Sequence, residues 1–501
     1  MRKTVLMLDH EPMLIDRRIV LEGKSLVEGG YTVYLATRGD GKKPSVENVH
    51  GIEIRRFCDA QEEAISDPKS PAGRREASRQ KIESWIRCAG NYTLEKKIRG
   101  SQPTLLNSIG YALAWPPALA HVLRLRLPIL KRWLGRAFEP LVYMGMLRFD
   151  FVAPYFTLAF YLIKNPAKKL GDSPADDENS WEYKLKTYAM ALKPDIVHAH
   201  DLPNLEMGCQ IAEQLKAVLI YDAHELYPFQ YFSDEKQKTK LLNLERRLIV
   251  RADAVISVNQ QCVDVLSREY GISNAIPVTN ATESPPNFDP LERKKKWHET
   301  FALPETVRIM VFQGGINPVR NVDPLVQALV HCDDNIHIGF ITYKKDVPYY
   351  EQMTRSLGVH HRVHYILEIP WDEVNDWLAS ADVGVMPYQV TNFNAQIASP
   401  NKLYEFVVAG LPIIASSDLV NVRKAVEEDD LGIVTLLKEV DSYIWLIKAM
   451  FDHPEGPERF RSSVLAARHK YLWSNESPKV LACYEKISDI NFVPKAVANA
   501  Q

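Results

Sequence analysis

The segment QIASPNKLYEFVVAGLPII (residues 396–414) places charged side chains at the start of a run that otherwise has the composition of a protein core. Ser399 is a favourable helix N-cap, and Pro400 suits the first helical position. The sequence therefore predicts a helix that begins here, runs to about Ala409 and stops at Gly410. The free N–H groups and the positive dipole end at such a helix start form a binding site for phosphate.

Two charged residues of this helix support that interpretation. Lys402 lies in the first turn, where the helix dipole disfavours a cation unless an anion lies between them. Glu405, one turn further on, is placed to accept hydrogen bonds from a diol such as ribose. Together they indicate a site for a nucleotide. The alternative is a capped core helix whose two charges are solvated.

A second stretch, FQGGINPVRNVDPLVQAL (residues 312–329), has the pattern of a strand, a loop and a helix. Gly314 and Gly315 at the turn let the backbone approach a ligand closely, and ligands of open α/β sheets bind at the carboxyl ends of the strands. Arg320 in the loop can close on a diphosphate. Two glycines alone are a weak signal, and their value comes from the helix start at 399–405 in the same region.

Polar side chains also follow two strands nearer the N-terminus, in DIVHAHDLPN (residues 195–204) and YDAHELYP (residues 221–228). Parallel strands bring their carboxyl ends to one edge of a sheet, beside the cleft. The side chains expected there are His198, His200, Asp201, His224 and Glu225. A metal site is one interpretation, although the spacing is not helical and no cysteine assists. His198 fits a structural histidine that points into the sheet, whereas His224 and Glu225 are the favoured substrate contacts.

Short apolar runs alternate with amphipathic stretches in two regions, which is the pattern of βαβ units on parallel sheets. The strands expected are TVLML, YTVYLAT, DIVHAH, LIYDAHE and DAVISV in the first region and RIMVFQGG, HIGFITY, RVHYIL, DVGVMPY, PIIAS and GIVT in the second. The helix after the first strand should end at Gly29-Gly30. The proline-rich segment 280–295 suits a linker. The predicted fold class is α/β, with two facing, doubly wound Rossmann-like domains.

The composition limits the class of protein. The 501 residues are 46% hydrophobic and 25% charged, with a formal net charge of -2. This balance argues against a protein that coats nucleic acid, and no nucleic-acid partner is expected. The six cysteines lack CxxC spacing, which fits reduced thiols in a cytosolic enzyme. The apolar run at the start of the chain breaks at Asp9, so it is too short for a signal-peptide core.

The interval from about 60 to 190 interrupts the alternation and predicts a helical, basic and apolar insertion in the N-terminal domain. Between residues 96 and 138 there are eight basic side chains and no acidic one. Tryptophan, leucine and phenylalanine lie among them, as in helices of a membrane interface. Arg148 and Asp150, in the next apolar run, argue against a spanning helix. Two interpretations remain: membrane contact through residues 96–165, or a subdomain packed on the N-terminal core.

Seven motifs, in this order, resemble those of the retaining GT-B glycosyltransferases of family 4 (glycosyl transferases group 1), over nearly the whole chain apart from 60–190. They are DRRIVLEGKSLVEGGYTV, DIVHAHD, YDAHELYP, RADAVISV, FQGGINPVRNV, ADVGVMPY and SPNKLYEFVVAGLPIIAS. The resemblance implies a GT-B fold in which the C-terminal domain mainly holds a nucleotide-sugar donor and the N-terminal domain binds the acceptor. It also implies metal-independent transfer with retention of the anomeric configuration, with a UDP- or GDP-linked sugar as substrate and no cofactor.

The resemblance further implies roles for the donor-side residues. Glu405 is similar to the ribose-binding glutamate of the family, and Arg320 to the basic residue that closes on the donor phosphates. The backbone around Ser399, Asn401 and Lys402 is expected to cradle the β-phosphate.

On the N-terminal side, His224 is similar to the histidine that touches the transferred sugar. Asp16 and Arg17, after the first strand, are expected to face the acceptor or a donor phosphate, and His200, Asp201 and Glu225 to lie on the acceptor side. The expected catalytic groups are His224, Arg320, Lys402 and Glu405.

Two departures from the family pattern stand out. The family has a pair of glutamates, and the first of them corresponds here to Ile397, which leaves the grip on the sugar hydroxyls open. In the Gly-rich loop, Ile316 stands where an arginine is common, and Lys402 is expected to compensate.

The sequence therefore predicts a hexosyl- or N-acetylhexosaminyl-transferase with an N-terminal domain (residues 1–280), a nucleotide-sugar domain (281–475) and a C-terminal helix and tail (476–501) that can pack back on the first domain. The expected acceptor is lipid-linked or a glycan, in the synthesis of surface polysaccharide or glycoconjugate. The expected location is cytoplasmic, peripheral at the inner face of the cell membrane. The alternatives are a non-catalytic partner subunit that binds nucleotide-sugar and a GT-B-fold nucleotide-sugar epimerase.

Overall fold

The computed structural model describes residues 2–10, 15–39, 44–59, 180–230, 235–292, 294–317, 320–367, 369–370 and 373–490. The proposed membrane-contact segment, 96–165, and most of the expected insertion at 60–190 lie outside these ranges. Within them, no helix combines the length and the apolar character needed to cross a membrane. The chain forms two compact units, and the larger one (residues 1–38, 45–56 and 185–501) carries both sheets and all of the sites below.

The first sheet has eight strands in the order β3-β4-β2-β1-β5-β6-β7-β8. They are β1 (Thr4–Leu8), β2 (Thr32–Arg38), β3 (Ser45–Val49), β4 (Ile52–Phe57), β5 (Ile196–His200), β6 (Val218–Ala223), β7 (Ala254–Ser257) and β8 (Ala275–Pro277). The pairs from β2 through β1 and β5 to β8 are parallel, whereas β3 and β4 form an antiparallel hairpin. Its helices are α1 (Arg17–Glu28), α2 (Trp181–Leu192), α3 (Asp201–Leu215), α4 (Glu235–Ile249) and α5 (Gln260–Tyr270).

The second sheet has six parallel strands in the order β11-β10-β9-β12-β13-β14. They are β9 (Arg308–Gln313), β10 (Ile336–Thr342), β11 (Val363–Leu367), β12 (Val383–Met386), β13 (Ile413–Ser416) and β14 (Gly432–Thr435). Its helices are α6 (Lys296–Phe301), α7 (Val322–Ala328), α8 (Val347–Ser356), α9 (Val374–Ala379), α10 (Phe393–Ile397), α11 (Asn401–Val408), α12 (Val420–Glu428), α13 (Val440–Phe451) and α14 (Glu458–Ala467). A last helix, α15 (Ser477–Ile490), follows.

Both strand orders reverse direction once, between β1 and β5 and between β9 and β12. Ligands of doubly wound sheets bind at the carboxyl ends of the strands beside such a reversal. The central strands read as continuous apolar runs because helices cover both of their faces. In β1, for example, Val5, Leu6 and Met7 have no exposed surface.

The predicted helix at 399–409 begins later than expected. Helix α11 runs from Asn401 to Val408, and its N-cap is Pro400, whose ψ of 138° is extended. Ser399 does not cap it: the Ser399 hydroxyl accepts a hydrogen bond from Asn259 (3.0 Å) and the Ser399 carbonyl accepts one from Asn280 (2.8 Å). The prediction of Ser399 as the N-cap is therefore wrong, because loops of the first sheet use both of its oxygens.

Helix α11 is seated directly on strand β12. A Cβ atom built on Gly384 would lie 2.4 Å from the ring of Phe406, so only glycine leaves room for that ring. The contact fixes the height of α11 above the sheet. It thereby positions the side chains of the first helical turn.

The C-terminal segment lies against the first sheet. The indole N–H of Trp473 donates to the Ser25 hydroxyl of α1 (2.8 Å), and the Tyr484 hydroxyl of α15 lies 2.7 Å from Nδ1 of His198. Leu481 closes over the end of α1, where a Cβ on Gly29 would meet it at 2.5 Å. Segments more than 280 residues apart in the chain thus complete one core.

Candidate functional site

A cavity of about 310 Å³ opens at the carboxyl ends of the second sheet. It is lined by Phe312, Gln313, Gly314, Gly315, Asn317, Arg320, Tyr343, Lys345, Asp346, Tyr388 and Lys402. These residues end or follow β9, follow β10 and β12, or lie in the first turn of α11. Gly314 has a φ of 124°, a conformation that glycine adopts without strain. Four residues predicted from the sequence, Gly314, Gly315, Arg320 and Lys402, therefore meet at one cavity.

Glu405 lies beside this cavity with both carboxylate oxygens paired. Oε2 accepts a hydrogen bond from Lys402 Nζ (3.0 Å), and Oε1 lies 3.4 Å from Arg17 Nη1. Burial alone would lower the pKa of Lys402, but Glu405 and its other neighbours outweigh that effect and raise it. The anion predicted to accompany Lys402 is thus supplied in part by the chain itself.

Arg17 and Asn401 line a small recess of about 10 Å³ next to Glu405. The backbone carbonyl of Glu283 accepts a second hydrogen bond from Arg17 (3.4 Å). Asp16 caps α1 by accepting from the Arg18 amide (2.8 Å). The N-terminal residues predicted to face a phosphate therefore include one helix cap and one cation bound to the predicted ribose carboxylate.

Tyr388, which follows β12, connects the predicted donor residues. The Arg320 guanidinium lies 5.2 Å from the centre of the Tyr388 ring. Burial raises the pKa of the Tyr388 hydroxyl, while Lys402 and Arg320 oppose that shift, so the hydroxyl stays neutral and able to donate. Tyr388 was not predicted as a site residue, although it lies two residues after β12 and a polar residue at a strand end was the signal that selected His224.

A buried ion cluster lies at the carboxyl edge of the first sheet, centred on Asp222 of β6. Its carboxylate accepts from Arg18 Nη2 (2.9 Å) and lies 3.2 Å from His224 Nε2 and 3.5 Å from His200 Nδ1. Burial would raise the pKa of Asp222, but Arg18 and His224 outweigh it and hold that pKa well below its ordinary value. Asp222 therefore keeps a negative charge next to His224, and it shares that charge between Arg18 and His224.

His224 is held as an imidazolium by this charge. Burial lowers its pKa, but Asp222 and then Asp201 outweigh burial and raise it to about 10. The Asp201 carboxylate accepts from the His224 amide (3.1 Å), and Asp201 itself has a φ of 60°. A non-glycine residue in that region costs free energy and is typical of functional sites. Burial raises the pKa of Asp201 to about 7.

Raising the pH from about 6.5 to about 10 should lower the free energy of unfolding through His224. The folded chain keeps the proton up to pH 10, whereas an unfolded histidine loses it near 6.5. The stabilisation present below pH 6.5 is therefore lost as the pH rises through 10. Urea titrations across this range should show a decline that is smaller in His224→Gln. The exposed His331, changed to Gln, is the control and should keep the wild-type decline; an identical decline in all three proteins contradicts the prediction.

Four buried residues in and around this cluster are of the types that bind metal ions. Their ligand atoms lie within 4.8 Å of one another: Glu22, His198, His200 and Asp222. Glu22 Oε2, His198 Nε2 and His200 Nε2 have no hydrogen-bond partner within the described ranges. Arg18 contacts both carboxylates, at 2.9 Å for each. Burial and the neighbouring Asp222 raise the pKa of Glu22 well above its ordinary value, so the single guanidinium has only the charge of Asp222 to balance. We interpret the set as a buried polar core behind His224, and His198, fully buried, as its structural member.

Hydrogen bonds join the edges of the two sheets around the cleft. The Leu226 amide donates to Asn394 Oδ1 (2.8 Å), and Asn394 Nδ2 lies 3.5 Å from the Glu225 carboxylate. Burial raises the pKa of Glu225. Glu225 also accepts from Gln230. Asn394 was not predicted because it lies in a helix of the second sheet, and the hydrogen bond that places it at the cleft comes from a residue 168 positions away in the chain.

The two departures from the family pattern are both buried. Ile397 is 7% exposed, and its carbonyl accepts from Asn259 and Asn421, so this position contributes backbone to the cleft. Ile316 is 1% exposed and packs in the core of the second sheet. A cation at position 316 would point into that core, whereas Gly315 lines the cavity. A basic side chain would therefore reach the cavity from position 315 and not from position 316.

Comparison with known proteins agrees with this architecture. Residues 162–279 match the family model of Glycosyltransferase Family 4 and residues 293–464 that of Glycosyl transferases group 1, together more than half of the chain. D-inositol 3-phosphate glycosyltransferases are similar over 58% of this chain. The one from Xylanimonas cellulosilytica is 22% identical over 71% of its own length, and the one from Corynebacterium diphtheriae 21% over 71%.

Solved structures show the same fold. Sucrose-phosphate synthase from Thermosynechococcus elongatus superposes with a TM-score of 0.60 at 14% identity, covering 98% of this chain and 100% of that chain. Anabaena HepE in complex with UDP-glucose gives 0.57 at 11% identity, covering 97% and 100%. The predicted fold class, GT-B with two Rossmann-like domains, is confirmed.

Proposed function

The chain belongs to the GT-B glycosyltransferases of the family 4 and group 1 type, and on that premise we propose that it moves a hexosyl or N-acetylhexosaminyl unit from a nucleoside-diphosphate sugar to a lipid-linked or glycan acceptor. The proposed transfer retains the anomeric configuration. The observation that carries the proposal is the cavity at the second sheet, where Arg320 and Lys402 face one space beside the start of α11. Positive side chains and free helix N–H groups at one point suit a diphosphate.

The chemistry follows from where charge develops. As the bond between the sugar C1 and the diphosphate oxygen breaks, negative charge grows on the diphosphate and positive charge on the sugar. Arg320, Lys402 and the start of α11 stabilise the first charge without reorganisation, which is the term that usually dominates catalysis. We propose that these groups do so without a metal ion. The acceptor hydroxyl then bonds to C1 on the same face, and its proton passes to the leaving diphosphate.

His224 has a different role in this proposal. It is protonated, 10% exposed and held by Asp222, so it can donate a hydrogen bond to the transferred sugar but cannot accept a proton. We therefore assign it to the positioning of the sugar hydroxyls rather than to base catalysis. Two neighbouring side chains can share that task. Glu225 is the next residue in the chain, and Asn394 lies 3.5 Å from it on a helix of the second sheet. Ile397 contributes no carboxylate to it.

We further propose that the enzyme acts at the cytoplasmic face of the cell membrane in the synthesis of a surface polysaccharide or glycoconjugate. The support is the basic and aromatic composition of residues 96–165. Flotation of the full chain with anionic and with neutral liposomes tests this part. Flotation that is equal on both kinds of liposome, or absent from both, argues for a packed subdomain instead.

Donor binding and transfer are tested in sequence. Ligand-observed NMR with UDP-, GDP-, ADP- and CMP-sugars should identify one nucleotide class, and product analysis with lipid-linked, glycan and inositol phosphate acceptors should then show transfer. Arg320→Met should abolish most turnover, whereas Arg308→Met, an exposed arginine at the opposite end of β9, should keep the wild-type rate. Full activity in EDTA is expected. If Arg320→Met turns over at the wild-type rate, the assignment of this cavity as the donor site is wrong.

One alternative has a specific observation in its favour. The buried Ile397 at a position that carries a glutamate in the family fits a non-catalytic partner subunit that binds nucleotide-sugar. That alternative predicts donor binding with no turnover on any acceptor. A nucleotide-sugar epimerase predicts a new monosaccharide product without any acceptor. The same product analysis separates all three.

A further inference from the structure

The Gly-rich loop of the second sheet is short of positive charge on its cavity side. Gly315 has no side chain, and Ile316 packs in the core, so among the described residues 312–317 and 320 only Arg320 brings a cation. A diphosphate in the cavity needs more positive charge than one guanidinium supplies. Lys402 contributes, but it is already paired with Glu405 at 3.0 Å.

A turn after the neighbouring strand occupies the space beside Gly315. Strands β9 and β10 are paired, and the Gly314 amide donates to the Ile341 carbonyl (2.9 Å), so the two strand ends lie side by side. The turn Lys344–Asp346 follows β10. A Cβ on Gly315 would meet Asp346 Oδ2 at 3.2 Å and the Tyr343 ring at 3.8 Å. The turn therefore lies where a larger residue at 315 would put its side chain.

Lys345 of this turn faces the cavity. It is among the lining residues, whereas Lys344, its neighbour in the chain, is not. Within the described part of the chain, Lys345 forms no ion pair, and its ammonium lies 5.7 Å from the centre of the Tyr343 ring. With Arg320, Lys402 and the carboxylate of Asp346, it gives the cavity a net positive lining.

We propose that Lys345 is a further donor-binding residue, whose ammonium binds the diphosphate in place of the side chain that Gly315 lacks. This inference rests on the proposed function, because it names an additional contact in the same cavity. The expected ligand chemistry is the ionised phosphate oxygens, not the nucleoside. A lysine contacts them as a mobile point charge, whereas Arg320 presents a planar fork.

Adjacent lysines provide a matched test. Dissociation constants of UDP and GDP, each measured with its nucleoside, should be compared in the wild type, Lys345→Met and Lys344→Met at two salt concentrations. Lys345→Met should weaken binding of the nucleoside diphosphate by about tenfold, the size expected for one hydrogen bond between an ammonium and an ionised phosphate. It should leave nucleoside binding unchanged and reduce the salt dependence. Lys344→Met, with the same loss of charge, should stay within about twofold of the wild type, and Lys345→Arg should retain most of the affinity.

The failures are distinguishable. If Arg320→Met weakens diphosphate binding and Lys345→Met does not, the proposed function stands and the role of Lys345 is wrong. If Lys344→Met and Lys345→Met weaken binding equally, the effect is long-range charge and the contact is wrong. If nucleoside binding falls together with diphosphate binding, Lys345 does not bind the phosphates. If the wild type binds neither UDP nor GDP, the proposed function is wrong, and the role of Lys345 is wrong as well.

Discussion

Glu405→Gln should lower kcat/KM for the donor by roughly 100-fold, since a hydrogen bond to a charged group contributes about 1.5–3 kcal/mol and a tenfold change corresponds to ~1.4 kcal/mol. The glutamine keeps the size of the side chain but loses the charge that binds a ribose diol. The substitution also removes two contacts of the wild type, in which Lys402 and Arg17 lie 3.0 and 3.4 Å from the two carboxylate oxygens. Steady-state kinetics at saturating acceptor provide the measurement.

Glu405→Gln would lower kcat/KM whether Glu405 binds the ribose or only supports the structure. A second measurement separates these two roles. The wild type should discriminate against a 2′-deoxyribose donor, and Glu405→Gln should not. Glu245→Gln serves as the control, because Glu245 is a buried carboxylate of helix α4 that accepts from the Tyr221 and Tyr270 hydroxyls (2.6 Å each). That variant should lose stability and keep the discrimination. If Glu405→Gln still discriminates as the wild type does, Glu405 does not bind the ribose.

On the proposed role of Glu405, the donor meets a competitor within the chain. Arg17 of α1 lies 3.4 Å from the carboxylate of Glu405 in α11. We expect a ribose diol bound by this carboxylate to weaken that contact, and Arg17, which lines the recess beside Asn401, to become available to the diphosphate. Arg17→Met should then change the affinity for the nucleoside diphosphate more than the affinity for the nucleoside.

Arg18→Met should lower the free energy of unfolding by about 3–5 kcal/mol, the cost of leaving a buried charge without its partner. Arg18 is 3% exposed and contacts Glu22 and Asp222 at 2.9 Å each, besides the Val278 carbonyl at 2.6 Å. Its removal leaves the Asp222 carboxylate with the two histidines, His200 and His224, and without its guanidinium. Urea unfolding followed by circular dichroism gives the measurement.

An exposed ion pair provides the control for this prediction. Arg247 and Glu206 lie 3.6 Å apart with side chains 67% and 54% exposed, and Arg247→Met should change stability by less than about 1 kcal/mol. Adding Asp222→Asn to Arg18→Met should recover part of the loss, since the buried carboxylate charge is then gone and His224, without it, can release its proton. A loss in Arg18→Met as small as that in Arg247→Met would falsify the view that the cluster is buried and tightly paired.

The sequence predicted most strands of both sheets because a strand covered on both faces must be a short apolar run. RIMVFQ became β9 and HIGFIT became part of β10, within one or two residues of the expected bounds. The β3–β4 hairpin was not predicted, since β3 is SVENV, largely exposed, and has no pattern of burial to detect. Strand β8 was missed because its three half-buried residues are too few to show a pattern.

The site was predictable only where a residue follows a recognisable strand or begins a helix. Gly314, Arg320 and Lys402 met at one cavity because such positions converge at the edge of a parallel sheet. Partners set by tertiary contact were not predictable: Arg18 meets Asp222 across 204 residues of chain, and Ser399 is bound by loops of the first sheet. The direction of a side chain in the Gly-rich loop, toward the core at 316 and toward the cavity at 315, also required the backbone.

The contacts of α15 affect the order in which the chain is assembled during synthesis. His198 and Ser25 are translated early, but their partners Tyr484 and Trp473 leave the ribosome only after the whole second sheet. Until then His198 lacks its contact with the Tyr484 hydroxyl, and α1 lacks its contact with Trp473. The first half of the protein is therefore completed last, and a nascent chain that stops before residue 473 leaves that half open to proteases and chaperones.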